Sequence, residues 1–182
     1  MTTPSTTMIP DEDQTAISNL LAQMRTAWEQ GDGQAYGANF TDDAHYVNAP
    51  GQRVVGAAAI SATHQHVFDT FFKNTHLGSQ CDNEVQPIAP GVVLIHSSGS
   101  VLCPGETESK VAPNGLMTIL VVKRDGAWKI ASFTNTQTGN ARNVKFLWRY
   151  LKSRTHPFTA EWSQARRHML DEKQQNIASW KK

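Results

Sequence analysis

The stretch LMTILVVKRDGAWKIASFTNTQ, residues 116–137, decides the fold of this chain. Two runs rich in apolar and β-branched residues flank Asp125-Gly126, a dipeptide typical of a tight turn between antiparallel strands. The stretch therefore predicts a β-hairpin with strands over 116–124 and 127–137. Two earlier runs, 84–88 and 92–102, are separated by Ala89-Pro90-Gly91 and predict two more strands. The second half of the chain is thus predicted to be an antiparallel meander.

The first half is predicted to hold three helices and one short hairpin. Apolar residues recur at helical spacing from Ile17 to Trp28, and Asp32 is placed to cap a short second helix that runs through Tyr36 to Phe40. The run AHYVNAPGQRVVG, residues 44–56, predicts a hairpin, and a third helix follows it. The order of helix, helix, hairpin, helix and meander is an α+β arrangement. Because no phosphate-binding or dinucleotide-binding motif occurs, a nucleotide-binding α/β fold is excluded.

The third helix carries two histidines, in ISATHQHVFDTFF at residues 60–72. At about 100° per residue, His64 falls within the apolar stripe of this helix and His66 lies about 200° away from it. Side chains two positions apart on a helix cannot converge on one ion, so a shared metal site is not expected. We therefore predict that His64 points inward, that His66 faces solvent, and that the protein binds no metal.

Four short sequence words resemble the nuclear transport factor 2-like superfamily. They are W-x-x-G-D (28–32), F-T-D-D-A (40–44), G-x-x-x-I (56–60) and D-G-x-W-K-I-x-x-F-x-N-T (125–136). The chain is most similar to the SnoaL-like branch of the SgcJ/EcaC type, over residues 13–138. The resemblance implies a cone, in which a curved antiparallel sheet wraps around the N-terminal helices and encloses an apolar pocket. It also implies a homodimer formed through the outer face of the sheet.

His64 is the leading candidate for a catalytic acid or base, because an imidazole on an apolar face can titrate near working pH. A structural histidine, hydrogen-bonded within the core, is the equally weighted alternative. Asn135, in the N-T pair that ends the last of the four words, could orient His64 or a ligand, and Tyr46 and Asn48 could line the pocket mouth. A structural hydrogen bond to a loop would explain Asn135 nearly as well, and Tyr46 and Asn48 would have no catalytic role if they faced the dimer side.

The resemblance does not extend to the ketosteroid isomerase mechanism. At the position of its aspartate base this chain has Asn48, and at the position of its oxyanion-hole tyrosine it has Met24. The strand over 116–122, which would carry the neutral acid, has no carboxylate.

Eight residues are candidates for lining the pocket. For the apolar ones the default role is simply the hydrophobic core, and for His96 the alternative is a position on the surface. These ligand-binding candidates are Trp28, Phe68, Phe71, Met117, Ile119, Val121, Phe133 and His96.

The two ends of the chain differ from the body. Residues 1–12 lack the basic and apolar regions of an export signal, so we expect a disordered lead-in and a cytoplasmic protein.

The charge of the chain is unevenly distributed. Residues 1–140 carry 7 Lys+Arg against 13 Asp+Glu, whereas residues 141–182 carry 10 Lys+Arg against 3 Asp+Glu. The segment over 139–182 is therefore predicted to be a basic helical extension. It would pack on the acidic body or the partner subunit, or else bind a membrane surface or an acidic partner. Nucleic acid is not an expected ligand.

These patterns lead to one functional hypothesis with a rival. The chain is expected to be a small-molecule-binding protein that acts without a cofactor on an apolar, polycyclic or polyketide-like metabolite. Its chemistry would be acid/base chemistry, such as isomerisation, cyclisation, dehydration or hydrolysis. The rival is a non-catalytic binding or accessory protein that acts through its pocket or its basic extension.

Overall fold

The computed structural model describes residues 8–79, 81–107 and 115–137 of the 182-residue chain. The predicted basic extension lies outside these residues, as do the first seven residues of the predicted lead-in. The first helix begins at Asp11, two residues earlier than the boundary predicted after residue 12. Three acidic residues, 11–13, occupy its first turn, where negative charge interacts favourably with the helix dipole.

The three predicted helices are present. Helix α1 spans Asp11–Gln30, α2 spans Gly33–Gly37 and α3 spans Ala57–Asp69. Asp32 caps α2 as predicted, since its Oδ1 accepts a hydrogen bond from the Ala35 amide at 2.8 Å. Helix α2 ends three residues before the predicted residue 40, because Phe40 already begins the first strand.

The close approach of α2 to α3 requires glycine at two positions. A Cβ atom at Gly33 would lie 2.4 Å from the backbone nitrogen of Gln65, and one at Gly37 would lie 1.9 Å from Oγ of Ser61. Both distances are far shorter than a contact between non-bonded atoms, so no side chain fits at either position. This approach brings Tyr36 of α2 against the ring of His64 on α3.

The strands form a six-stranded sheet in the order β2-β1-β8-β7-β5-β4 and a small sheet of β3 with β6. The meander β4-β5-β7-β8 is antiparallel, as predicted, whereas β1 pairs with β8 in parallel, which the sequence did not predict. The predicted long strand over 92–102 is divided between β5 and β6. The strands are β1 Phe40–Val47, β2 Arg53–Val55, β3 His76–Leu77, β4 Cys81–Ala89, β5 Val92–Gly99, β6 Val101–Leu102, β7 Gly115–Arg124 and β8 Ala127–Gln137.

One face of the six-stranded sheet, here called the inner face, packs against the helices. Along β5, Val93, Ile95 and Ser97 are 2%, 0% and 1% exposed, while the residues between them are partly exposed. Register shifts interrupt the ladders of β1, β4 and β7, and such irregularities bend strands. The result is an α+β fold with a curved sheet around the helices, as predicted. The helices contribute Ile17, Leu20, Met24 and Ala27 from α1 and Ile60, His64 and Phe68 from α3 to the core.

The opposite face, here called the outer face, is only partly covered. Leu94, Leu120 and Val122 are half-buried there, and Leu116 is 42% exposed. Within the parts of the chain that the structure describes, no helix is both long and apolar enough to cross a bilayer.

Candidate functional site

His64 lies inside the core on α3, and His66 lies on the exposed side of the same helix, as the helical wheel predicted. His64 is only 4% exposed. Its Nδ1 is 2.8 Å from the carbonyl oxygen of Ile60. Since a carbonyl can only accept a hydrogen bond, Nδ1 carries the proton. The lone pair of the neutral ring is therefore on Nε2.

Aromatic rings surround the imidazole, and together with it they form what we call the His64 cluster: His64, Tyr36, Tyr46 and Phe68. The Tyr36 ring stacks on His64 at a centroid distance of 4.0 Å, and Tyr46 meets it edge-on at 4.9 Å. Phe68 lies 5.8 Å away in a tilted contact. Burial among these rings lowers the pKa of His64 to about 4, although the hydrogen bond to Ile60 opposes the shift. His64 is therefore uncharged at neutral pH.

The two tyrosines of the His64 cluster are also uncharged. Burial raises the pKa of Tyr46 to about 12 and that of Tyr36 well above its ordinary value, and a hydrogen bond links the two phenols. Tyr36 was missed as a site residue by the sequence analysis. A signal for it exists in Gly33 and Gly37, because two glycines in a five-residue helix indicate a close approach to another element.

The inner face of the sheet continues the site beyond the His64 cluster. Phe133 of β8 stacks on Tyr46 at 5.0 Å, with an angle of 5° between the rings. Ile119 of β7 pairs with Phe133, and in the next row of that face Met117 pairs with Asn135. These predicted residues are therefore brought together as expected from strand alternation.

Two polar residues on this face carry buried atoms without a hydrogen-bond partner. They are Oγ of Ser97 and Oδ1 of Asn135, which flank Met117 in register. Ser97 was missed by the sequence analysis. The alternation of β5 could have revealed it, because Ser97 follows Val93 and Ile95 on the same face.

Aromatic residues of α1, of α3 and of the turn that follows α3 extend the site on the helical side. Trp28 contacts Phe68 at 5.1 Å and Phe72 at 5.0 Å, and Phe72 contacts Phe71 at 4.9 Å. The indole Nε1 of Trp28 is a further buried atom without a hydrogen-bond partner. Val121, which is 0% exposed, pairs with Val93 in the interior of the core.

Two predicted site residues do not reach this region. Asn48 lies just beyond the end of β1, where its amide group donates to Oε1 of Gln52 and accepts from the Gln52 backbone amide, both at 2.8 Å. Its polar atoms thus stabilise the hairpin loop and do not line a pocket. His96 lies in β5 between the buried Ile95 and Ser97, so strand alternation directs it to the outer face.

Two surface grooves flank α1, with volumes of about 530 and 570 Å³. Asn19, Gln23 and Lys129 line both grooves, and neither is lined by the His64 cluster. Across the described residues, no group of three or more His, Cys, Asp or Glu side chains is arranged to hold a metal ion.

The sequence profile of the SnoaL-like domain matches residues 11–134. A domain of unknown function with a cystatin-like fold from Nostoc punctiforme is 25% identical, with a TM-score of 0.65 over 86% of this chain and 99% of that one. A protein from Caulobacter vibrioides with the same fold is also 25% identical, with a TM-score of 0.60 over 76% of this chain and 99% of that one.

A protein from Novosphingobium aromaticivorans, provisionally named scytalone dehydratase, is 19% identical. Its TM-score is 0.58 over 70% of this chain and 85% of that one, so it shows a likeness of fold alone. No curated protein matches the chain. The finer SgcJ/EcaC relationship stays a prediction.

Proposed function

This chain belongs to the SnoaL-like domain family, and from that premise we propose that it binds an apolar, polycyclic or polyketide-like metabolite and catalyses proton transfer on it. Isomerisation, cyclisation, dehydration and hydrolysis all need such a transfer. The proposal assigns the reaction to side chains of the protein, without a cofactor, since the sequence carries none of the nucleotide-binding motifs. The name of the Novosphingobium protein, a dehydratase on the same fold, agrees with this class of chemistry.

The observation that carries the proposal is the protonation state of His64. With its proton held on Nδ1 by Ile60, the imidazole offers only Nε2 to a ligand. A neutral imidazole can accept a proton from a ligand, and the imidazolium that forms can return it at another atom. Two protonated phenols, Tyr36 and Tyr46, lie against the same ring; because one donates its proton to the other, one O–H remains to donate a hydrogen bond to negative charge that develops on the ligand.

The apolar character of the ligand is inferred from the surroundings of His64. Phe68, Phe133 and Ile119 are nearly fully buried next to the two phenols, and none of them can pair with a charged group. A charged ligand would lose its hydration here without compensation. Flat ring systems, in contrast, can stack on Trp28 and on the other aromatic side chains.

The rival hypothesis is a binding protein without catalysis. It is favoured by the enclosure of His64, whose 4% exposure leaves its imidazole little contact with solvent. In that case His64 would be a structural residue that holds Tyr36 and Tyr46 in place.

The two hypotheses are separated by proton exchange in D₂O, with 1-tetralone and 2-tetralone as probes. Loss of the α-proton signals in NMR spectra reports base catalysis, and ligand-observed NMR reports binding. We expect the wild-type protein to bind and to accelerate exchange, His64→Gln to lose the acceleration, and His66→Gln to retain it. Binding without acceleration would support the rival, and absence of binding would refute both the proposed function and a rival that acts through the pocket.

We also propose that the protein forms a homodimer, that residues 141–182 bind a surface, and that the protein is cytoplasmic. Leu94, Leu120 and Val122 supply apolar surface on the outer face, which supports a homodimer formed through the sheet. Residues 141–182 would pack on the acidic body or on the partner subunit, or would bind an anionic membrane surface or an acidic partner. The cytoplasmic location stays a prediction.

A further inference from the structure

The exposed side of helix α1 carries no charge over more than three turns. Between residues 16 and 28 its exposed positions are Ser18, Asn19, Ala22, Gln23 and Thr26. The side of a surface helix that points to water normally carries charged residues. The centres of protein interfaces, in contrast, are depleted of charge, because amides and hydroxyls lose less hydration free energy than ions when they are covered. The composition of this side is therefore typical of a surface that another molecule covers.

Two grooves run along this side of α1, and together we call them the amide groove. Their volumes are about 530 and 570 Å³, and they adjoin, because Asn19, Gln23 and Lys129 line both. On α1 the lining extends from Glu12 to Gln30. At 1.5 Å per residue this stretch is about 27 Å long, which matches about eight residues of an extended peptide.

The amide groove offers hydrogen-bonding groups that the described residues leave unused. Nδ2 of Asn39 donates to the carbonyl oxygens of Ala35 and Tyr36 at 2.8 and 3.1 Å. Its Oδ1 accepts from none of the described residues, although Asn39 is only 4% exposed. Lys129 donates to the carbonyl oxygen of Ala38, but no ion pair among the described residues includes it. The groove thus holds a nearly buried acceptor and a cation whose charge is not compensated.

The side chains of α1 in the groove match a peptide backbone. Asn19, Gln23 and Gln30 all line it and lie on one side of the helix. A side-chain amide donates and accepts in the same way as a peptide group. A row of such amides can therefore form hydrogen bonds with successive peptide groups of an extended chain.

Other classes of ligand fit the lining less well. Nucleobases and planar rings stack on exposed aromatic side chains, but Trp128 is 7% exposed and its Nε1 donates to Asp13. Nucleic acids also need several uncompensated cations, whereas Nζ of Lys123 lies 2.7 Å from Asp13. Among the described residues of the lining, this leaves Lys129 as the cation available to a ligand.

We propose that the amide groove binds an extended peptide segment that is uncharged except for one acidic side chain, which pairs with Lys129. The peptide backbone forms hydrogen bonds with the amides of α1, and Oδ1 of Asn39 accepts from a peptide N–H or a hydroxyl. The groove is separate from the His64 cluster, so this proposal does not rest on the proposed function.

The test begins with a phage library of random linear octapeptides, selected against the full chain. Ala22→Trp fills the groove with an indole, and Ala59→Trp makes the same change at an exposed position of α3 outside the groove. Lys129→Gln removes the cation, and Lys73→Gln removes an exposed lysine elsewhere. Fluorescence anisotropy then measures the affinity of synthetic peptides with the enriched sequences. Thermal unfolding checks each variant, and Gln23→Trp replaces Ala22→Trp if the latter does not unfold cooperatively.

We expect the enriched peptides to carry one Asp or Glu and to lose measurable binding to Ala22→Trp but not to Ala59→Trp. Lys129→Gln should weaken binding about 5-fold, the factor for one partly exposed ion pair, and Lys73→Gln should leave it unchanged. Replacing the acidic residue of the peptide by its amide should cost the same factor, and the two losses should not add, because they remove one interaction. N-methylation of central peptide nitrogens should also weaken binding, since it deletes backbone donors.

Three results would overturn the proposal: no enrichment by the wild type over Ala22→Trp, equal affinity of the two for the enriched peptides, or affinities that N-methylation leaves unchanged at every position. If Ala22→Trp lowers the oligomeric state of the wild type in light scattering, a second copy of the chain covers the groove, and the peptide assignment is wrong.

Discussion

Mild acid is expected to destabilise this protein through one residue, His64. Burial lowers its pKa in the folded state from the ordinary 6.5 to about 4. Between these two values the unfolded chain takes up a proton that the folded protein excludes, so stability must fall as the pH falls. The contribution of the neutral imidazole is fully present above pH 6.5 and is lost progressively toward pH 4. Each pKa unit between the folded and unfolded states is equivalent to 1.36 kcal/mol, so a pKa difference of about 2.5 corresponds to about 3 kcal/mol in the free energy of unfolding.

Two carboxylates of the body have a lowered pKa. A hydrogen bond from Lys123 lowers the pKa of Asp13, and one from Arg124 lowers the pKa of Asp43, in both cases from 3.8. These groups contribute stability above their unfolded pKa and lose it at still lower pH. The difference between the wild type and a variant that lacks the His64 imidazole therefore isolates the contribution of His64 between pH 6.5 and 4.5.

The assay is urea unfolding at pH 7.0, 5.5 and 4.5 of the wild type, His64→Leu and His66→Gln. From pH 7.0 to 4.5, the free energy of unfolding of the wild type should fall by about 2 kcal/mol more than that of His64→Leu. His66→Gln removes an imidazole from the exposed side of the same helix and should follow the wild type. Parallel pH curves for the wild type and His64→Leu would refute the reasoning, because they would mean that His64 is protonated equally easily in both states.

Three other changes test the fold and its assembly. Gly33→Ala should lower the free energy of unfolding by about 2 kcal/mol in urea titrations, since its Cβ would lie 2.4 Å from the backbone nitrogen of Gln65; wild-type stability would contradict the contact. Leu120→Glu should convert a dimer into a monomer in light scattering, and a wild-type protein that is already monomeric would count against the sheet interface. Deletion of 141–182 should lower Tm, whereas unchanged Tm with loss of binding to anionic vesicles would favour the membrane-surface hypothesis.

Local patterns were sufficient to predict most of the fold. Periodicity placed the helix that carries His64, alternation placed Phe133 and Met117 on one face, and Asp125-Gly126 placed the turn between β7 and β8. Such features depend on residues only a few positions apart, and each is a strong signal on its own. Asn48 was expected at the pocket mouth, but its side chain forms hydrogen bonds with Gln52 in the loop after β1. A strand pattern does not reveal such hydrogen bonds to a neighbouring loop.

What the sequence by itself determined is the order of the elements and the inward orientation of His64. Only the tertiary structure decided what the imidazole meets. The parallel pairing of β1 with β8 joins Tyr46 to Phe133, residues 87 positions apart, and the glycine contact between α2 and α3 brings Tyr36 onto His64. The burial that lowers the pKa of His64 and the unpaired atoms of Ser97 and Asn135 depend on these distant contacts. Periodicity indicates which side of an element is buried, but desolvation and hydrogen-bond satisfaction depend on every atom that surrounds it.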